Sequence, residues 1–161
     1  MRPSKVLLAI RRSQSRSDYV VDLRRNGFQV TTADDGIECL DVLSRFIPDA
    51  VVVEPELLWG GGDGVVALLR DKSETRSVPV LVLTTDASRS AVYRISQFPI
   101  GDFLTQPVSP QRLTGGVTRL VKDDQCLSKS ESPSQSLSTT LVRAPKTFSY
   151  SQKQCTPAGV G

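Results

Sequence analysis

Lys5-Val-Leu-Leu-Ala-Ile10 runs without polar alternation, and a strand of that kind has to be covered by apolar material on both faces. This is the pattern of a buried parallel strand, and it recurs along the chain. Ala50-Val-Val-Val53 and Val80-Leu-Val-Leu83 read the same way, residues 28–32 form a further strand, and a shorter one lies at 102–104. The intervening segments carry helical signals. Ser17 and Asp18 offer N-cap chemistry ahead of Val20 and Leu23, and Asn26-Gly27 supplies a stop. From Asp35, the apolar set Cys39, Leu40, Leu43, Phe46 and Ile47 falls on one helical face that ends at Pro48. A third helix is predicted around Val65, Leu68 and Leu69, and a weakly patterned fourth over residues 88–97. Ser109-Pro110 opens a fifth that carries Leu113, Val117, Leu120 and Val121.

Five strand-then-helix units predict an α/β fold with a parallel sheet between two helical layers, because parallel strands need crossover connections. The composition allows one domain: 161 residues, of which 39% are hydrophobic. The formal charge of +3, from 20 Lys and Arg against 17 Asp and Glu, is scattered along the chain, which argues against nucleic acid as a partner. The apolar run from Val6 to Ile10 is too short for a signal peptide or a membrane span, so the expected location is the cytoplasm, with no membrane partner.

Histidine is absent, which removes His-based triads, His-bearing metal sites and any role as a histidine phosphodonor. Cys39, Cys126 and Cys155 lack metal-ligand spacing, and an odd count argues against a disulfide framework. Cys39 is expected to be buried in the second helix and the other two to lie in a polar tail. After Lys122 the chain turns Ser/Thr-rich with few bulky apolar residues. The predicted division is therefore a domain over 1–122 and a disordered tail over 123–161. Lys146 and Lys153 near Phe148 and Tyr150 read as part of that solvated end.

Four motifs in order carry a family resemblance over residues 5–122. Pro48-Asp-Ala-Val-Val-Val-Glu54, Asp63-Gly64, Pro79-Val-Leu-Val-Leu-Thr84-Thr85 and Gly101-Asp-Phe103-Leu-Thr-Gln106-Pro107 resemble the receiver domains of two-component response regulators. The resemblance implies a flavodoxin-like (βα)5 three-layer sandwich with a five-stranded parallel sheet in the order 2-1-3-4-5. It also assigns positions. Glu54 stands where the family has its phospho-acceptor aspartate, and Ile10, Arg11 and Arg12, followed by Ser13, stand where it has an acidic pair. Thr84 and Phe103 match the switch hydroxyl and aromatic, and Gln106 matches a lysine that binds phosphoryl oxygens.

The departures alter the expected chemistry. A divalent cation of the magnesium type needs several oxygen ligands, and guanidinium groups in place of carboxylates repel it. The sequence therefore predicts no metal and no cofactor. Glu54 is one methylene longer than aspartate and mimics a phosphorylated one only in part, while Gln106 carries no charge. An alternative register places Glu56 at the acceptor position but puts Pro55 inside a central strand, where it would delete a ladder hydrogen bond. Glu54 is preferred, and both registers substitute glutamate. Arg11 or Arg12 is expected to pair with Glu54, supplying the positive charge a cation would otherwise bring; the alternative leaves both arginines in solvent.

Trp59-Gly-Gly-Gly62 matches neither G-x-G-x-x-G nor a Lys-containing P-loop. Trp59 is read, with Glu56, as part of a loop near the altered pocket, where the tryptophan covers it, contacts a partner or does neither. The function these readings imply is a stand-alone, non-enzymatic receiver-like protein of two-component phosphorelay signalling. It would bind a kinase or regulator through the face from helix four to helix five. Two alternatives stay open: a receiver that still accepts a phosphoryl group, and a small-ligand binder using the Trp59 loop.

Overall fold

The computed structural model describes residues 2–85 and 89–128, the last four through their backbone alone. Strands β1 (Lys5–Ala9), β2 (Gln29–Ala33), β3 (Ala50–Val53), β4 (Val80–Thr84) and β5 (Asp102–Thr105) alternate with five helices. These are α1 (Gln14–Arg25), α2 (Gly36–Arg45), α3 (Gly61–Asp71), α4 (Arg89–Ile95) and α5 (Pro110–Ser128). The sheet is wholly parallel in the order β2-β1-β3-β4-β5. The flavodoxin-like (βα)5 architecture is thus the one the sequence predicts.

Period-two alternation divides the core between the two faces of the sheet. Leu7, Ala9, Val51, Val53, Val80 and Val82 point to one side, against Cys39, Leu43, Val66, Leu69 and Ile95. Val6, Leu8, Val52, Leu81 and Leu83 point to the other, against Tyr19, Leu23, Leu113 and Val117. Every residue of β3 and β4 is buried, which explains why those strands show no polar alternation. Among the described residues no helix is long and apolar enough to cross a membrane.

Several local readings shift. The N-cap of α1 is Ser13, whose hydroxyl accepts from the Arg16 N–H at 3.2 Å, and not Ser17 or Asp18. Helix α2 is capped by Asp35, the carboxylate accepting from Glu38 N–H at 2.9 Å. Its buried stripe is Gly36, Cys39, Val42 and Leu43, however, while Leu40 and Ile47 of the predicted face are exposed. Helix α5 continues to Ser128, past the predicted end at Lys122, so Cys126 is helical and does not lie in the tail. Cys155, Ser88 at the predicted start of helix four, and the Lys146–Lys153 cluster lie outside the described residues.

Two measurements follow. Leu81→Ala removes a fully buried side chain from the middle of the sheet and should cost about 2–5 kcal/mol by urea unfolding. Cys39 is fully buried, and burial, with Asp35 and Glu38 nearby, pushes its thiol up to about 12. The thiolate is the reactive form, so iodoacetamide followed by peptide mapping should leave Cys39 unmodified in the folded chain at pH 8 and modified in urea.

Candidate functional site

Parallel strands bring their C-terminal ends to one edge of the sheet, which is where open α/β folds build their sites. The β1–β3 register pairs Ala9 with Val53, and the Glu54 N–H donates to the Ala9 carbonyl at 3.0 Å. The residues just beyond each strand, Ile10–Arg11 and Glu54, therefore lie side by side. Gly62 closes the turn beneath Glu54: its N–H donates to the Pro55 carbonyl at 3.0 Å, and a Cβ there would strike the Glu54 carbonyl and come within 2.9 Å of Pro55 Cα. Only glycine lets α3 start so close to this turn.

The Glu54 carboxylate is held from both sides. One oxygen accepts from the Arg11 backbone N–H at 3.1 Å and from Arg11 Nε at 3.2 Å; the other accepts from Gln106 Nε2 at 3.1 Å. The Glu54 side chain is 13% exposed and that of Arg11 is 51% exposed. Of the two arginines proposed from sequence, Arg11 makes the pair. Arg12 reaches Asp34 instead, at 3.1 Å. Gln106 is also where β5 meets β4, its N–H donating to Thr84 O at 2.7 Å.

A second cluster supports the loop that carries Arg11. Arg16, nearly buried in the first turn of α1, donates to the Ile10 carbonyl at 3.2 Å and pairs with Asp34 at the end of β2. These hydrogen bonds and the charges of Arg16 and Arg12 hold the Asp34 carboxyl below the usual carboxylate range, the Arg16 bond being the largest cause. Tyr19 lies close by on α1. Its hydroxyl donates to the Val108 carbonyl at 3.2 Å, and burial followed by the negative charges of Glu54 and Asp18 raises its pKa. Sequence reading identified none of Arg16, Asp34 or Tyr19 as part of the site, because no linear spacing ties residues 16 and 19 to 34, 54 or 108.

The remaining predicted residues separate. Ile10 is buried and contributes its carbonyl rather than a side-chain ligand. Glu56 is exposed in the turn after the buried Pro55, so Glu54 is the carboxylate that faces Arg11. Asp63 belongs to the first turn of α3 and pairs with Arg94 of α4 at 3.2 Å. Thr84 is nearly buried and donates to the Thr85 carbonyl. Phe103 is 40% exposed on β5 and is not a core aromatic.

Trp59 does not cover the Glu54 pocket. It is 72% exposed and lines a separate apolar cavity of about 200 Å³ with Gly36, Cys39, Leu40, Val65 and Leu68, between α2 and α3. Its backbone sits in the left-handed region at φ 54, which non-glycine residues rarely occupy.

The site does not fit a divalent cation. It offers one carboxylate whose oxygens already accept three N–H bonds, and the neighbouring side chain is a guanidinium. Among the described residues no group of three or more Cys, Asp or Glu is arranged to hold a metal ion.

A five-stranded 2-1-3-4-5 sheet with its pocket at the ends of β1, β3 and β5 is the architecture of receiver domains, and the comparisons agree. The response regulator MprA of Mycobacterium leprae is 31% identical over 132 residues, which is 81% of this chain and 54% of that protein. A response regulator from Chloroflexus aurantiacus superposes with a TM-score of 0.69 at 25% identity, covering 75% of this chain and 99% of that one. The receiver domain of the Pseudomonas aeruginosa sensor kinase PA1611, solved with magnesium in its active-site cleft, gives 0.68 at 23% identity, covering 75% of this chain and 99% of that one; it shares the fold. No family model matches the chain. The chain spans 8% of the Dictyostelium discoideum hybrid histidine kinase D and 44% of the Klebsiella pneumoniae regulator PhoB, which it also resembles. The relatives and structural neighbours of this chain's βα domain are response-regulator receiver domains, and it shares their fold.

The Asp34 cluster has a pH signature. A carboxyl whose pKa is depressed on folding adds stability above its unfolded value, near 3.8, and loses it as pH falls through the lower folded value. Urea unfolding at stepped pH should therefore show the wild type losing stability below about pH 4, and Asp34→Asn should flatten that part of the curve.

Proposed function

We propose that this chain is a pseudo-receiver, a receiver domain of two-component signalling that recognises a protein partner without a phosphorylation cycle. The observation that carries the reading is the three-point clamp on Glu54 by Arg11 N–H, Arg11 Nε and Gln106. A receiver that transfers a phosphoryl group needs a free acceptor oxygen and a cation to offset charge as the anion arrives. Here both acceptor oxygens are engaged, and the positive charge belongs permanently to the chain. A partly buried Arg–carboxylate contact is directional, so the clamp favours one conformation of the β1–α1 and β3–α3 loops. A domain held in one state needs no switch.

The partner surface we assign is the face of α4, β5 and α5. Tyr93 on α4, 73% exposed, and Phe103 on β5 are large apolar side chains left to solvent there, alongside the ion pair Arg119–Asp102. Aromatic groups beside charged pairs are the composition of recognition surfaces. A kinase or another regulator is the partner class, and the cytoplasm is the compartment in which such partners present their signalling domains.

The test is incubation with a small acyl phosphate and Mg2+, followed by intact-mass measurement. The expected spectrum is unchanged; a phosphoryl adduct that disappears in Glu54→Gln would overturn the proposal in favour of a residually phosphorylated receiver. Arg11→Ala should lower stability by about 1 kcal/mol, at the low end for a half-buried hydrogen-bonded charge because Arg11 is half exposed. A variant as stable as the wild type would remove the clamp from the mechanism.

A further inference from the structure

Helices α1 and α5 pack side by side, and the groove between them has a volume of about 490 Å³. Two of the residues lining it each carry a buried side-chain oxygen that lacks any hydrogen-bond partner: Asp22 Oδ2 and Thr114 Oγ1. Thr114 is only 4% exposed. A helical threonine can return its hydroxyl to the carbonyl one turn back, as Thr118 does to Thr114 at 2.7 Å. Thr114 does not. Buried polar atoms in native proteins are almost always satisfied, and these two come from different helices and do not bond to each other. A donor entering the groove would satisfy both.

Charge selects that donor. Asp22 has no ion-pair partner among the described residues, and neither does Asp18 one turn earlier on the same helix. Arg119 in the groove wall is already held by Asp102 at 2.6 Å, and Lys122 is exposed beside Asp123. An anion would meet the buried Asp22 oxygen. An ammonium would neutralise it and still have N–H groups to give Thr114, since it carries donors in three directions and no acceptor. Gly115 leaves the entrance open: a Cβ there would touch nothing within 4 Å.

We propose that the α1–α5 groove binds an aliphatic primary ammonium, with Asp22 as its counter-ion and Thr114 as its second acceptor. The residues concerned are distinct from those around Glu54, so the site stands whether or not the receiver pocket accepts a phosphoryl group. The ammonium is either a free alkylamine or the lysine side chain of a protein partner.

The experiment is a titration of the 15N-labelled full chain, followed by amide shifts at constant ionic strength. The probes are 1,5-diaminopentane and the tripeptide acetyl-Gly-Lys-Gly-amide, with 1-butanol and sodium chloride as controls. Saturable shifts centred on Asp22 and Thr114, weakened at least tenfold in Asp22→Asn and several-fold in Thr114→Val, are expected. Saturation by the diamine alone assigns a free amine, and saturation by the peptide assigns a partner's lysine. Gly115→Met, which fills the entrance from an exposed helix position, should abolish the shifts while leaving the thermal midpoint unchanged or higher; this keeps the test valid if Asp22→Asn is poorly folded. Non-saturating shifts equal to those from sodium chloride, or equal affinity in wild type and Asp22→Asn, would overturn the proposal.

Discussion

The pairing of β1 with β3 is the constraint on which the rest depends. Both strands lie inside the sheet and are covered on both faces, so their register cannot slip without exposing an entire apolar set. The Ala9–Val53 pairing at the end of that register puts the main chain of residues 10 and 11 alongside Glu54. The Arg11–Glu54 contact is therefore set largely by burial elsewhere. The hydrophobic core fixes the two backbones, and the side chains then close the short distance left between them.

The site is built in two tiers that begin on different elements. Glu54 is gripped by the β1–α1 loop and by Gln106 from the end of β5, while that loop is itself tied by Arg16 to Ile10 and Asp34. A change at Asp34 thus acts on the Glu54 pocket through Arg16 and the loop backbone. Each tier alone is a partly exposed ion pair of modest strength. Coupled through one short loop, they restrict the same few backbone torsions.

The fold was legible because buried strands are a one-dimensional signal: Val6–Ala9, Ala50–Val53 and Val80–Leu83 read as apolar runs and are buried throughout. Glu54, Arg11 and Gln106 were legible through the resemblance to receiver-domain motifs, and the ends of β1, β3 and β5 bring them to the same edge. Arg16 and Tyr19 were not, since they arrive from a helix whose rotation depends on Ser13 as its cap rather than on the Ser17-Asp18 pair. The same limit applies to α2. Its apolar residues outnumber those that its packing can bury, and the periodicity by itself could not say that Leu40 and Ile47 would be left outside.

Gly36 is pressed so closely against the Trp59 main chain that no Cβ could be placed there, and its N–H donates to Leu58 O at 2.9 Å beside the Asp35–Leu58 bridge. The start of α2 and the tip of the β3–α3 loop are thereby fastened into one mechanical unit at the rim of the sheet. The main chain that carries the exposed indole therefore touches the first residue of α2 directly. The domain accordingly presents its one tryptophan on a rim anchored to the β2–α2 side, apart from the clamp on Glu54.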